Sequence, residues 1–234
     1  GLMNIQFAVK DEELYVLEVN PRASRTVPYV SKTTGMPWAK MATQVMLGQT
    51  IEELKIQEWV SDKVSVKEAV FPFNKFSDSD VLLGPEMKST GEVMGADSTF
   101  PMAYLKAQLA AGQAIPKSGG VLLTIKDQDK PYIEQIVRDL DQMGFALHAT
   151  AGTADLIQSF GCQVHRVTKI GETEPDILDV IRSGDIQMVV NTSTAKYLDD
   201  ERRIRRLALE KGVPIVTTIR GMEATVKAIG AYQG

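Results

Sequence analysis

The sequence predicts an α/β protein: a mainly parallel sheet with helices on both faces in the C-terminal part, preceded by a partial α+β segment. Three observations carry this. From Val121 onward, short apolar runs alternate with amphipathic stretches, the pattern of repeated βα units. Ahead of them the chain opens on two apolar runs, Leu2 to Val9 and Leu14 to Val19, joined by the charged turn Lys10 to Glu13, which reads as a β-hairpin. Between the two regions, Ile115-Pro116-Lys117-Ser118-Gly119-Gly120 combines small, polar and φ-restricting residues, the composition of a domain boundary.

Taken in order, Val27 to Leu47 follows the hairpin with Trp38, Met41, Ala42, Val45 and Met46 at helical spacing, Pro37 suiting a first turn and Gly48 a stop. Ile51 to Val60 reads as a second short helix, Ser65 to Phe71 as a strand, and the Pro- and Gly-rich stretch from Phe76 to Gly95 as a loop. Thr99 to Ala111 is helical, with Ser98 as N-cap and Gly112 at its end. Beyond the linker, strands are expected at Val121 to Ile125, Ala146 to Thr150, Gln163 to Val167, Met188 to Asn191 and Ile215 to Thr218. Helices are expected at Lys130 to Met143, Ala154 to Phe160, Asp176 to Arg182, Asp199 to Glu210 and Gly221 to Ile229. The chain divides on this reading into 1–48, 49–117 and 118–234.

Composition narrows the function. A hydrophobic fraction of 44% and a charged fraction of 24% in 234 residues suit a soluble globular protein, and no apolar run is long enough to span a bilayer. A net charge of −4 and a pI near 5.4 argue against non-specific nucleic-acid binding. The single cysteine, Cys162, excludes an internal disulfide framework, fits a reducing cytoplasm, and reads as a small core residue. With no initiator Met ahead of the hairpin, the chain reads as a fragment that opens inside a catalytic domain.

Two constellations carry chemistry. On the hairpin, Gln6, Glu18 and Asn20 can present oxygen ligands along one edge, the hard donors that Mg²⁺ takes when it also binds phosphates, with Arg22 and Arg25 near enough to neutralise those phosphates. A plain hairpin with exposed polar residues remains the alternative. In the C-terminal module, Thr124, Thr150 and Thr153 around Gly152, Lys169, Asn191-Thr192-Ser193 and Thr217-Thr218 stand at the ends of the expected strands, with Lys130 adding charge. Glycine at 152, followed at once by a helix, lets N–H groups and hydroxyls converge on a phosphate. Each threonine alone reads equally as a cap or turn residue. His148 and His165 read as structural, Glu172 and Glu174 as solvated loop charges, and Asp199 to Arg206 as a solvent-facing helix surface laced with ion pairs.

Asn20-Pro21-Arg22-Ala23-Ser24-Arg25, followed by Phe71-Pro72-Phe73-Asn74-Lys75-Phe76 and Leu83-Gly84-Pro85-Glu86-Met87-Lys88-Ser89-Thr90-Gly91-Glu92-Val93-Met94-Gly95, resembles the large subunit of carbamoyl-phosphate synthetase over essentially the whole chain. The resemblance implies the end of the second ATP-grasp domain at 1–48, a connecting segment at 49–117 and a methylglyoxal-synthase-like allosteric domain at 118–234. It implies Gln6, Glu18 and Asn20 as metal ligands and Arg22 and Arg25 as catalytic phosphate contacts, with ATP and Mg²⁺ or Mn²⁺ as cofactors of the full-length subunit. In the allosteric domain it implies Thr124, Lys130, Thr150, Thr153, Lys169, Asn191 and Ser193 as contacts for a nucleotide effector: UMP, IMP or phosphoribosyl pyrophosphate. Val216 stands where ornithine-responsive relatives carry an aromatic residue, although Glu68 and Thr218 persist, so an ornithine response is not carried over.

The whole enzyme so implied is an ATP-dependent ligase of pyrimidine or arginine synthesis, making carbamoyl phosphate from bicarbonate, glutamine-derived ammonia and ATP. Its partners are the rest of the large subunit and a glutaminase small subunit, with homo-oligomerisation through the allosteric domain as a further option; a small-molecule phosphorylated effector is expected, and neither nucleic acid nor membrane. The fragment lacks the upstream phosphate loop and adenine-pocket lysine and is expected to be inactive alone. Two other classes stand beside this reading: a stand-alone methylglyoxal-synthase-like lyase, which needs a carboxylate base that Lys169 to Asp176 and Asn191-Thr192-Ser193 do not supply in the family's pattern, and a structural oligomerisation module.

Overall fold

The computed structural model describes residues 1–56, 61–73, 81–82, 86–192 and 198–234. It separates into two compact units, Gly1–Val64 and Ser65–Gly234. This grouping differs from the three-part division expected from the sequence, because the helix before the linker packs on the last helix of the C-terminal sheet.

In the first unit, β1 (Asn4–Lys10) and β2 (Glu13–Asn20) pair antiparallel through a two-residue turn. Asp11 and Glu12 both hold left-handed φ, 51° and 66°, as a type I′ turn requires. A bulge between Gln6 and Phe7 preserves two unlike faces: Asn4/Asn20, Gln6/Glu18 and Lys10/Glu13 pair on one, Ile5/Val19, Phe7/Val16 and Val9/Leu14 on the other. The periodic stretch from Val27 forms two helices rather than one, α1 (Thr26–Thr34) and α2 (Trp38–Met46), broken where Gly35 adopts φ 68° and Pro37 caps the next start. The indole Nε1 of Trp38 donates to Thr34 Oγ1 at 2.7 Å across that break. Residues 51–55 form turns instead of the expected helix, whose remaining residues 57–60 lie outside the described set.

Strand β3 (Val64–Val70), which carries the chain from the last residue of the first unit into the second, and β4 (Gly91–Asp97) form a two-stranded sheet. The expected loop before Gly95 therefore ends in a strand. The motif residues Asn74-Lys75-Phe76 and Leu83-Gly84-Pro85 lie outside the described residues. Gly95 lets β4 lie against α3 (Phe100–Ala110): a Cβ there would sit 2.1 Å from the Ala103 carbonyl oxygen. Thr99 rather than Ser98 occupies the N-cap position of α3.

The main sheet is five-stranded and parallel, in the order β7-β6-β5-β8-β9. Its strands are β5 (Gly120–Thr124), β6 (Ala146–Thr150), β7 (His165–Val167), β8 (Ile186–Asn191) and β9 (Ile215–Val216). The connecting helices are α4 (Glu134–Gln142), α5 (Ala151–Ser159), α6 (Ile177–Arg182), α7 (Leu198–Glu210) and α8 (Ile219–Gln233). Strand alternation sends Val121, Leu123, Leu147, Ala149, Met188 and Val190 to one face, under α3, α4, α5 and α8. Leu122 and Val189 go to the other, under Ile177, Leu178, Ile181, Ile204 and Ala208 of α6 and α7. Helices thus cover both faces, as expected, and Cys162 is buried in the first of these cores. Tyr104 Oη of α3 and Thr225 Oγ1 of α8 share a hydrogen bond of 3.2 Å. No helix among the described residues is long and apolar enough to cross a membrane.

Candidate functional site

The hairpin places its three candidate ligands together. Gln6 and Glu18 are direct register partners, and Asn20 lies two residues along β2 on the same face, its Nδ2 donating to Glu18 Oε1. This set offers one carboxylate and two amide oxygens, hard donors that suit Mg²⁺ once phosphate oxygens complete its shell. Among the described residues no group of three or more His, Cys, Asp or Glu could hold a metal by itself. Arg22 follows the strand end, its backbone N–H donating to Asn20 O at 2.8 Å and its Nη1 to Ala23 O at 3.3 Å. Arg25 stands at the start of α1.

The strand order of the main sheet reverses between β5 and β8, where open α/β sheets form a crevice beyond the strand C-termini. A cavity of about 320 Å³ lies there, within the usual range for small-molecule sites. Thr124, Lys130, Thr150, Thr153, Lys169 and Asn191 all line it, drawn from five separate segments. Ser193 lies outside the described residues. Thr217 and Thr218 line a different cavity of about 350 Å³, with Glu68, Tyr104 and Gln108, so the fifth strand end does not join the first rim. In that second cavity Gln108 Nε2 donates to Glu68 Oε2 at 2.9 Å, and burial pushes the Glu68 carboxyl above the usual range despite that bond.

Local sequence explains how each donor is held. Helix α5 starts at Ala151, immediately after Thr150, whose side chain does not cap it, and Thr150, Gly152 and Thr153 at this helix start line the crevice. A Cβ at Gly152 would meet Lys130 Nζ at 3.2 Å. Lys169 sits on a stapled loop: Glu172 Oε2 accepts from Lys169 N at 3.2 Å, Glu172 N donates back to Lys169 O at 3.1 Å, and Gly171 takes φ 77°. Glu172 is therefore a loop staple and not merely a solvated charge. Asp176 closes the loop, accepting from Gly171 N at 3.3 Å and capping α6 through Leu178 N and Asp179 N. Burial raises its carboxyl, but the N–H groups of Asp179, Gly171 and Leu178 together bring it below the usual range.

At the β5/β8 wall, Asn191 Nδ2 donates to Thr124 Oγ1 at 2.7 Å, and Thr124 Oγ1 to Val190 O at 3.3 Å. Thr192 Oγ1 accepts from Lys126 N at 2.9 Å, tying the two strand ends together. Ile125, Ile170, Ile177 and Ile204 supply an apolar floor. The sequence reading missed the acidic members of the lining, Asp127, Asp200 and Glu201. Lys130 pairs with Asp127 at 2.7 Å and holds that carboxyl below its usual range. The reading of Asp199 to Arg206 as a uniformly solvated face is also corrected: Glu201 and Arg205 are buried, while Arg202, Arg203 and Arg206 are exposed. The i,i+4 charge pattern is the same for either case; only the burial of Ile204 and Ala208 beside them could have hinted at it.

His148 and His165 are register partners on β6 and β7 with ring centroids 4.9 Å apart, stacked on each other. Burial, then the neighbouring His165, lowers the His148 pKa below that of an ordinary histidine.

Two family models match the chain: the MGS-like domain over residues 132–217, and the carbamoyl-phosphate synthase L chain, ATP binding domain over residues 1–54. The chain is 51% identical over 232 residues to the carbamoyl phosphate synthase large chain of Pasteurella multocida, covering 98% of this chain and 22% of that protein. It is 48% identical over 246 residues to the carbamoyl phosphate synthase large chain, C-terminal section of Methanocaldococcus jannaschii, covering all of this chain and 40% of that protein. The large chain of a Synechocystis species is 49% identical over 236 residues, again with 22% of its length matched. The chain thus spans about a fifth to two fifths of the length of these relatives.

Proposed function

The chain belongs to the carbamoyl phosphate synthase large-chain family, and from that premise we propose that its C-terminal unit senses a phosphorylated nucleotide on behalf of the ligase. The observation that carries the proposal is the crevice at the β5/β8 reversal, where six donors from five segments surround one cavity beside the open start of α5. Such a rim suits a dianionic phosphate: the α5 N–H groups and the Thr150 and Thr153 hydroxyls bind its oxygens, and Lys130 and Lys169 neutralise it. The isoleucine floor takes the apolar surface of the base and sugar.

In the full-length enzyme the reaction is the ATP-dependent formation of carbamoyl phosphate from bicarbonate and glutamine-derived ammonia. Gln6, Glu18 and Asn20 of the hairpin would hold a Mg²⁺ or Mn²⁺ ion, and Arg22 and Arg25 would meet the phosphate oxygens of ATP. When bound, such an ion would supply charge neutralisation for phosphoryl transfer. The partners are the remainder of the large subunit and a glutaminase subunit, in the cytoplasm, within pyrimidine or arginine synthesis. Effector occupancy tunes the ATP step through differential affinity of the effector for two states of the enzyme.

The acidic residues near the cavity lend the lyase alternative no support, because each has a cationic neighbour: Asp127 has Lys130 at 2.7 Å, Asp200 has Arg203 at 3.9 Å and Glu201 has Arg205 at 3.8 Å. Calorimetric titration of the chain with UMP, IMP and phosphoribosyl pyrophosphate tests the proposal. Saturable one-site binding of at least one of them is expected, and failure of all three overturns it.

A further inference from the structure

Arg205 is the largest fully buried side chain of the molecule's described residues, at 1% exposure, yet it belongs to the most highly charged helix. A buried guanidinium needs acceptors, and one of them is the Asn191 Oδ1, 2.8 Å from Arg205 Nη1. Glu201 Oε2, on the preceding turn of α7, lies 3.8 Å from the same Nη1. Asn191 is itself 1% exposed, at the end of β8, and lines the cavity from which Arg205 is withdrawn.

The chemistry of these groups fixes an orientation. Arginine can only donate, so the face of the Asn191 amide turned toward Arg205 must be its oxygen. The nitrogen is then forced toward Thr124 and the cavity, and its bond to Thr124 Oγ1 at 2.7 Å has the sense this demands. The Thr124 proton is committed in turn to Val190 O at 3.3 Å. An unassisted asparagine could flip its amide and offer the cavity an acceptor instead, at little cost.

We propose that Arg205 is a positioning residue that locks the Asn191 amide with its N–H₂ toward the cavity, so that this wall favours an acceptor oxygen of the ligand over a donor. The inference rests on the sensing role proposed above for the same cavity, and deepens it by identifying a residue that touches no ligand and yet sets what the site accepts. Arg205 reaches the ligand through Asn191, so its effect on ligand affinity shrinks when Asn191 is absent.

The test has two arms, both on the whole chain. In the ligand-free protein, the Asn191 side-chain amide protons, followed by NMR hydrogen exchange, are protected in the wild type and in Arg205→Lys, which keeps a donor, and exchange rapidly in Arg205→Met. Equal protection in Arg205→Met overturns the proposal. In the second arm UMP affinity is measured across Arg205→Met, Asn191→Ala and the double variant. Arg205→Met is expected to weaken UMP about tenfold, the worth of one well-aligned hydrogen bond, with a clearly smaller loss in the Asn191→Ala background. Additive losses overturn it. Should Arg205→Met fail to fold, Arg205→Gln decides: its neutral amide can accept as well as donate, so Asn191 is no longer held in one orientation and UMP binding must fall. Undiminished UMP binding by Arg205→Gln contradicts the proposal. A wild type that binds no UMP, IMP or phosphoribosyl pyrophosphate defeats the sensing role itself, while the amide-exchange arm still decides whether Arg205 orients Asn191.

Discussion

Thr124 and Asn191 are register partners at the C-terminal ends of β5 and β8, and their side chains are joined by a 2.7 Å hydrogen bond at the point where the strand order reverses. Because both are anchored on buried central strands, the wall they form is set before any ligand arrives, and the charged residues of the rim can be altered without disturbing it.

Lys169 is the clearest case. It is exposed on a loop held by Glu172 and Asp176, whose bonds to that loop use its backbone N–H groups. Lys169→Met is expected to lower UMP affinity by about 10- to 100-fold, as befits loss of a charge-assisted hydrogen bond. The midpoint of thermal unfolding should hardly move, since the change is on the surface. Calorimetry and a melting curve on the same sample check both halves.

Gly95 makes the opposite prediction. An added methyl would press on backbone atoms of α3, at 2.1 Å from Ala103 O and 2.5 Å from Ala107 N, and neither can yield by a rotamer change. Gly95→Ala should destabilise the second unit by about 1–3 kcal/mol, the usual cost of overpacking. Chemical denaturation measures it, and an unchanged midpoint would refute the close approach.

His148 predicts a pH dependence. Its pKa is lowered by burial and by His165, so the folded state binds the proton less readily than the unfolded chain. Its contribution to stability is therefore complete above the ordinary histidine value of about 6.5 and is lost as pH falls through the lower folded value. His148→Gln should flatten the fall in melting temperature as pH drops below about 6.5, relative to the wild type. Parallel curves for the two proteins would remove the histidine pair as the cause.

The hairpin is tested in the full-length synthase. Glu18 is the sole carboxylate among the three candidate ligands on its face, so Glu18→Gln keeps the shape while removing the negative charge. The Mg²⁺ concentration for half-maximal carbamoyl phosphate formation should rise. An unaltered Mg²⁺ dependence would place the metal elsewhere.

How much of this was legible in the sequence depends on what each residue does. Thr150, Gly152 and Thr153 could be read because a strand, a glycine and a helix start follow one another within a few positions, so local sequence alone brings them together. Thr217 and Thr218 carried the same signal, but β9 lies on the far side of β8 from β5, and they face another cavity. Strand order is a long-range property that terminal residues do not record. Glu201 and Arg205 escaped for a different reason: charged residues four apart look alike on a solvent-facing and a buried helix face until the sheet beneath is known. The strand β4 was hidden by its two glycines, Gly91 and Gly95, of which Gly95 lets it lie against α3.

With the phosphorylated ligand held in the crevice at the β5/β8 reversal, chemical-shift mapping of a UMP titration will place the largest shifts on Thr124, Thr150 to Thr153, Lys169 and Asn191. Shifts concentrated instead around Glu68, Tyr104 and Thr218, or spread without a focus, would contradict it.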